Sequence, residues 1–297
     1  MKGIPLGERY KHLFGALQAN TKAPAVITEE NVFQKGNDAI LPIVDGMLDE
    51  NFLEGSRLEG LEHFENFLNL VKEGKRGLIL MEHYSNLDLP ALIYLLRKDA
   101  GAMGEDLAKR IVAIAGMKLN EEDPMVRAWA EAFSRIVIYP SRSLSSIKDP
   151  EKHAEEEAKS KKINMASMRA LDASRKRGEV TLVFPSGTRY RPGKPETKRG
   201  VREIDSYLRL SDVMILVTIN GSCLRINEED PSNMLSDLVI PDCVVLSSSP
   251  VFECKAFRNE VINAVSDPEV DKKQAVVDRV MDLLNEQHEE IEKIRFR

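Results

Sequence analysis

Residues 77–90 have the sequence GLILMEHYSNLDLP, and this stretch decides the class of fold. Residues 77–81 are apolar, and a short apolar run between polar segments is typical of a buried strand. A polar loop follows. Pro90 then suits the first turn of a helix, where its missing N–H would have no partner in any case. A buried strand that leads through a polar loop into a helix is the repeating unit of α/β proteins.

The same alternation of strands and helices continues to the end of the chain. Short apolar runs predict five more strands, at residues 110–115, 135–139, 180–184, 213–219 and 244–246. Helical patterns occupy residues 91–96, 123–133 and 143–177, and the last 25 residues read as an amphipathic helix. We therefore predict an α/β fold in which helices flank a central mixed, mostly parallel sheet.

The first 75 residues have a different pattern. Leucine and phenylalanine recur at helical spacing, as at Leu58, Leu61 and Phe64, and no alternating strand pattern appears before Arg76. We predict a small N-terminal helical subdomain at residues 1–75, followed by an α/β domain at residues 76–297.

Charge and composition argue against several classes of protein. The net charge of −6 disfavours nucleic acid as a partner, because phosphate backbones attract basic surfaces. The chain has neither the apolar core of a signal peptide nor a run of about 20 apolar residues. We expect a soluble, cytoplasmic protein, or one in a compartment like the plastid stroma, with no more than peripheral membrane contact. The three cysteines lack the spacing of a disulfide framework or zinc site, and we expect no metal or cofactor.

The loop after the first predicted strand contains a base and an acid. His83 follows the strand and Asp88 starts the next helix, at the end of a sheet where ligands bind in open α/β folds. A carboxylate folded back onto the imidazole would hold one ring nitrogen protonated and leave the other as a base. Such a pair suits removal of a proton from a hydroxyl group, although a His and an Asp at this spacing also occur by chance.

A second junction, at residues 183–193, has the sequence VFPSGTRYRPG. Gly187 allows close approach of the backbone to a ligand, and Arg189 and Arg191 could converge on an anion such as phosphate. The alternative is a surface turn with two solvated arginines. A third junction, at residues 136–143, adds Arg142, which is an ordinary strand exit unless it lines the same pocket.

At these residues the sequence resembles the glycerolipid acyltransferase superfamily. His83 and Asp88 match its H-x4-D motif, and residues 184–189, FPSGTR, match its F-P-E-G-T-R block with Ser186 in place of Glu. The likeness is greatest to the soluble, plastid-type glycerol-3-phosphate 1-acyltransferases, which share the P-S-G core and the R-x-R-P that follows. Position 82 is Glu where the family usually has Asn.

The resemblance implies a reaction and roles for these residues. A fatty acyl group would pass from acyl carrier protein or coenzyme A to the sn-1 hydroxyl of glycerol 3-phosphate, in phospholipid biosynthesis. His83 would be the general base and Asp88 its partner, while Arg142, Arg189 and Arg191 would bind the phosphate. We also expect backbone N–H groups at Ser186 and Gly187 to stabilise the oxyanion.

Other functions stay open at this point. A 1-acylglycerol-3-phosphate acyltransferase would use the same chemistry on a different acceptor. A serine hydrolase would use Ser186 as a nucleophile, but Phe184 occupies the place of the first glycine in its G-x-S-x-G motif. A non-catalytic module could bind lipid or a carrier protein without transferring an acyl group. The basic residues of the segment 159–177 are either a solvated helix face or a docking site for an acidic carrier or anionic headgroups.

Overall fold

The structure is a computed structural model that describes residues 3–121, 123–145 and 147–296. The strands are β1 Ile4–Pro5, β2 Phe33–Gln34, β3 Arg57–Glu59, β4 Gly77–Met81, β5 Ile111–Gly116, β6 Arg135–Ile138, β7 Val180–Val183, β8 Val213–Asn220, β9 Leu224–Arg225, β10 Leu238–Val239, β11 Val245–Ser248 and β12 Phe252–Glu253. The α-helices are α1 Leu6–Arg9, α2 Phe14–Asn20, α3 Leu41–Asn51, α4 Leu61–Lys72, α5 Asp88–Asp99, α6 Gly101–Arg110, α7 Lys118–Glu121, α8 Pro124–Ala130, α9 Ser141–Ser145, α10 Pro150–Lys176, α11 Ile204–Arg209, α12 Cys254–Ala264 and α13 Lys272–Glu292. Short 3-10 helices lie at Lys11–Leu13, Pro195–Lys198 and Met234–Ser236.

The described chain forms two compact units. One comprises residues 1–9, 45–111 and 178–297, and the other residues 10–44 and 112–177. Residues 1–75, predicted as one helical subdomain, are thus divided between the two units. Three short strands, β1, β2 and β3, also lie in this segment, where the sequence showed no strand pattern. Strands of two or three residues carry almost no periodicity, so only their pairing partners reveal them.

The larger unit contains a mixed sheet in the order β7-β4-β8-β11-β3. Strand β4 is parallel to both β7 and β8, β11 is antiparallel to β8 and parallel to β3, and β12 also pairs antiparallel with β8. Every residue of β4 and β8 is buried, as expected for parallel strands covered on both faces. Strands β1, β10 and β9 form a separate antiparallel sheet.

Helices of the larger unit bury apolar stripes against this sheet. Helix α4 contributes Phe64, Phe67, Leu68 and Val71, all almost fully buried. The C-terminal helix α13 contributes Val276, Val277, Val280 and Leu284, which follow the amphipathic pattern predicted for the last 25 residues. The backbone at Gly200 lies so close to α13 that a Cβ atom there would be 2.4 Å from Val277 Cγ1. The loop after β7 is therefore fixed against the helix.

The smaller unit contains β2, β6 and β5, with β2 antiparallel to β6 and β5 parallel to it. Helix α10 packs on β6, where Ser167 Oγ donates to the Val137 carbonyl oxygen at 2.6 Å. Parallel pairs predominate in the main ladders and helices flank them, so the predicted α/β class is confirmed. None of the described helices combines the length and apolar composition needed to cross a bilayer.

Candidate active site

His83 and Asp88 lie side by side at the carboxyl end of β4. Asp88 is the first residue of α5, so the four-residue loop between them turns the carboxylate back onto the imidazole. The distance between His83 Nδ1 and Asp88 Oδ2 is 2.9 Å. Since an acceptor oxygen faces Nδ1, that nitrogen carries the hydrogen and Nε2 is left to accept a proton. The sequence prediction of this contact is confirmed.

The Asp88 carboxylate is fully buried and has several donors. Its Oδ2 atom also accepts the N–H groups of Tyr84 at 2.6 Å and Ser85 at 2.9 Å, and Oδ1 accepts the Ser85 hydroxyl at 2.8 Å. A carboxylate taken out of water is tolerated when hydrogen bonds replace its hydration. These donors also prevent rotation of the carboxylate, which keeps the imidazole in one orientation.

The second predicted junction packs directly against His83. The Phe184 ring, just after β7, stacks on the His83 ring with centroids 3.9 Å apart and planes 14° from parallel. The Tyr190 N–H donates to the His83 carbonyl oxygen at 2.7 Å. Two loops about 100 residues apart in the chain therefore meet at one place, because β4 and β7 are adjacent parallel strands.

The turn after Phe184 is held by hydrogen bonds between its own residues. Gly187 has a φ of +62°, which favours glycine, and its N–H donates to the Phe184 carbonyl oxygen at 2.9 Å. The Ser186 hydroxyl donates to the Thr188 carbonyl oxygen at 2.6 Å. Among the described contacts, no hydrogen bond joins Ser186 Oγ to His83, the kind of contact by which a base activates a serine nucleophile. The Gly187 N–H is already engaged, while the oxyanion role expected for this turn stays a prediction.

A small cleft opens beside His83. Besides His83, its lining includes Tyr84, Ser186, Tyr190, Lys198 and Met281. Lys198 comes from the 3-10 helix Pro195–Lys198, and its Nζ donates to Asn285 Oδ1 at 2.9 Å. Sequence reasoning missed both Lys198 and Met281. The only signal for Lys198 was its place in a basic run after the second junction, and Met281 had none, because it belongs to the distant helix α13.

The arginines of the second junction differ in their surroundings. Arg189 is buried and its Nη1 makes a short contact with Oδ2 of the fully buried Asp237. Burial raises the pKa of Asp237, while the charges of Arg189 and Arg191 oppose that rise. Arg191 is half-buried, and its Nε has no hydrogen-bond partner among the described residues. The phosphate-binding role of the two arginines stays a prediction, and Arg189 already has an anionic partner.

The third predicted junction lies in the smaller unit. Arg142 belongs to helix α9 of the smaller unit, and its side chain lies outside the described residues. Its predicted role in phosphate binding therefore stays a prediction.

A larger cleft, of about 310 Å³, lies at the amino ends of β4 and β8, whereas His83 lies beyond the carboxyl end of β4. Arg76 and Asp212 immediately precede β4 and β8, and they pair with each other at 2.6 Å. Arg258 pairs with the buried Asp205 at 2.7 Å. Since ligands of open α/β sheets bind at the carboxyl ends of strands, this cleft is not the candidate active site.

The three cysteines, Cys223, Cys243 and Cys254, are free and buried. Burial raises the pKa of the Cys223 and Cys254 thiols to about 12. Thiols with such values stay protonated near neutral pH, which argues against a nucleophilic role. Among the described residues, no group of His, Cys, Asp and Glu side chains is arranged to hold a metal ion.

Comparisons with known proteins bear on the same residues. The family model described as Acyltransferase matches residues 55–215, more than half of the chain. One similar solved structure is the 1-acyl-sn-glycerophosphate (LPA) acyltransferase PlsC from Thermotoga maritima, with 14% sequence identity, coverage of 87% of this chain and 81% of that chain, and a TM-score of 0.44. The chain matches no curated protein sequence. The residues matched by the family model include His83, Asp88 and the whole second junction.

Proposed function

The chain belongs to the Acyltransferase family, and from this premise we propose that it transfers a fatty acyl group from an acyl thioester to the sn-1 hydroxyl of glycerol 3-phosphate. The observation that carries the proposal is the 2.9 Å contact between His83 and the buried Asp88 at the edge of a cleft. A base held by a buried carboxylate suits activation of a hydroxyl group.

The proposed reaction is a single acyl transfer with no acyl-enzyme. His83 Nε2 takes the proton of the acceptor hydroxyl as its oxygen attacks the thioester carbon, and a tetrahedral intermediate forms. Asp88 stabilises the imidazolium produced in this step. The intermediate then expels the thiol, which receives the proton from His83. Ser186 has no part in the bond changes, in keeping with its hydroxyl being bonded to the Thr188 carbonyl oxygen.

The phosphate of the acceptor needs cations near the base. Lys198 lines the same cleft as His83, and Arg191 is half-buried, with a buried Nε that has no partner among the described residues. We assign these two side chains to the phosphate, together with Arg189 and Arg142 as the resemblance implies. Charged groups that hold the phosphate would fix the position of the reacting hydroxyl.

An acyl-transfer assay that crosses two donors with two acceptors tests the proposal. Acyl-coenzyme A and acyl carrier protein would each be offered with glycerol 3-phosphate and with 1-acylglycerol 3-phosphate. We expect a 1-acylated product from glycerol 3-phosphate. Transfer only to 1-acylglycerol 3-phosphate would replace the proposed acceptor, and no transfer with any pair would favour a binding module.

Two matched variants test the assignment of Lys198 to the phosphate of the acceptor. Lys198→Gln should raise the KM for glycerol 3-phosphate, because it removes a cation from the cleft. Lys194→Gln makes the same charge change at an exposed position in the same loop and should leave that KM unchanged. Equal KM values in both variants and the wild type would remove Lys198 from the phosphate site.

A further inference from the structure

Glu82 is a buried carboxylate immediately before the base, with only 4% of its surface exposed. Its Oε1 atom accepts the Tyr84 hydroxyl at 3.1 Å, and its Oε2 atom accepts His288 Nδ1 at 2.7 Å and the Ile219 N–H at 3.2 Å. Burial of a charge without such partners is strongly destabilising. The three donors come from the loop after β4, from α13 and from β8, so separate parts of the fold converge to hold this carboxylate.

Tyr84 connects this carboxylate to the catalytic pair. At one end its hydroxyl donates to Glu82, and at the other its backbone N–H donates to Asp88 Oδ2, the same oxygen that holds His83 Nδ1. Burial, and then the negative charge of Glu82, raise the pKa of the Tyr84 phenol, so it stays a donor at neutral pH. The Tyr84 ring lies edge-on to Tyr190 with centroids 5.8 Å apart, and both rings line the cleft.

His288 reaches this network from the C-terminal helix α13. The position of its backbone is held by Asn220, whose Nδ2 donates to the His288 carbonyl oxygen at 2.9 Å. The preceding residue, Gln287, donates to Ser247 Oγ at 2.7 Å, so the helix is held there independently of Glu82. The His288 ring lies 5.6 Å from the Tyr84 ring, centroid to centroid. His288 is thus in contact with both Glu82 and Tyr84.

We propose that Glu82 and His288 are positioning residues, which hold Tyr84 and, through the shared Asp88 oxygen, keep the His83 ring in its productive orientation. The proposal rests on the proposed function, in that His83 is the base. The hydrogen-bonded chain runs from His288 to Glu82, Tyr84, Asp88 and His83. A misplaced base costs rate even when every reacting group is present.

The test compares two variants on the same turn of α13. His288→Leu removes one donor to Glu82 and should lower kcat by roughly 10- to 100-fold, with a much smaller change in KM. Gln287→Leu removes the bonds to Ser247 and should lower thermal stability while kcat stays near that of the wild type. His288→Asn, which keeps a side-chain N–H, should recover most of the loss.

A second measurement does not depend on turnover. In the NMR spectrum of protein labelled with nitrogen-15 histidine, the His83 Nδ1 proton is assigned by its loss in His83→Gln. We expect this resonance to shift or broaden in His288→Leu and in Glu82→Gln, and to stay in place in Gln287→Leu. An unchanged resonance together with unchanged kcat in His288→Leu would overturn the proposal.

The two proposals fail in different ways. If the wild-type protein transfers no acyl group with any donor and acceptor, the proposed function is wrong, and the His83 resonance alone then decides the network. If transfer occurs but His288→Leu loses no more kcat than Gln287→Leu, the network has only a structural role and the present inference is wrong.

Discussion

Replacement of His83 by alanine should greatly lower the rate of acyl transfer while it changes the stability of the fold only a little. In the proposed mechanism His83 is the general base, a role worth about 10²- to 10⁴-fold in rate. At 1.36 kcal/mol for each tenfold change, the barrier should rise by roughly 3–5 kcal/mol. The KM for the phosphorylated acceptor should change little, because the cations assigned to the phosphate are untouched.

The cost of the same change to folding is small by comparison. The alanine variant loses the stacking of His83 on Phe184, worth about 1 kcal/mol. Asp88 keeps the two backbone N–H groups and the Ser85 hydroxyl, so no buried charge is left without partners. Asp88→Ala is the contrasting variant, because it leaves several donors in a buried loop unpaired. We expect it to cost about 3 kcal/mol or more.

Steady-state acyl transfer and urea unfolding on both variants check this prediction. The expected result is a fully folded His83→Ala protein with turnover reduced at least a hundredfold, and an Asp88→Ala protein that is impaired in both measurements. Near-normal turnover in His83→Ala would refute the mechanism. An equal loss of stability in the two variants would refute the account of the loop.

Three further predictions concern other side chains. Ser186→Ala should keep near-normal turnover in the acyl-transfer assay, whereas a serine hydrolase would be inactivated. Arg189→Ala should destabilise the fold by about 3 kcal/mol in urea unfolding because it removes the ion-pair partner of the buried Asp237, and adding Asp237→Asn should recover much of that loss. Cys223 and Cys254 should react with a thiol reagent at pH 8 only after denaturation, since burial raises the pKa of both thiols to about 12; rapid reaction in the native protein would contradict their burial.

Much of the fold could be predicted from local pattern. The six predicted strands correspond to β4, β5, β6, β7, β8 and β11, because short apolar runs stand out against polar loops. The shorter strands could not be predicted. Strand β3, for example, has three residues and is recognised only by its parallel pairing with β11, almost 190 residues further along the chain. Residues 1–75, predicted as one subdomain, are divided between the two compact units.

The sequence by itself determined which residues could form the candidate active site. His83 and Asp88 are five residues apart across a strand–helix turn, a local arrangement that allows the carboxylate to reach the imidazole. The position of the second junction after another strand, residues 180–184, could also be predicted from local pattern. Such features depend on neighbours in the chain, so they can be inferred without any tertiary structure.

Only the tertiary structure decided what surrounds His83. It stacks Phe184 on His83, pairs Arg189 with Asp237, and brings Lys198 into the cleft. It also joins His288 to Glu82, two residues 206 positions apart. Contacts over such separations depend on which strands become neighbours and on where the last helix packs. No local spacing encodes that choice, because it is made by the burial of the whole sheet.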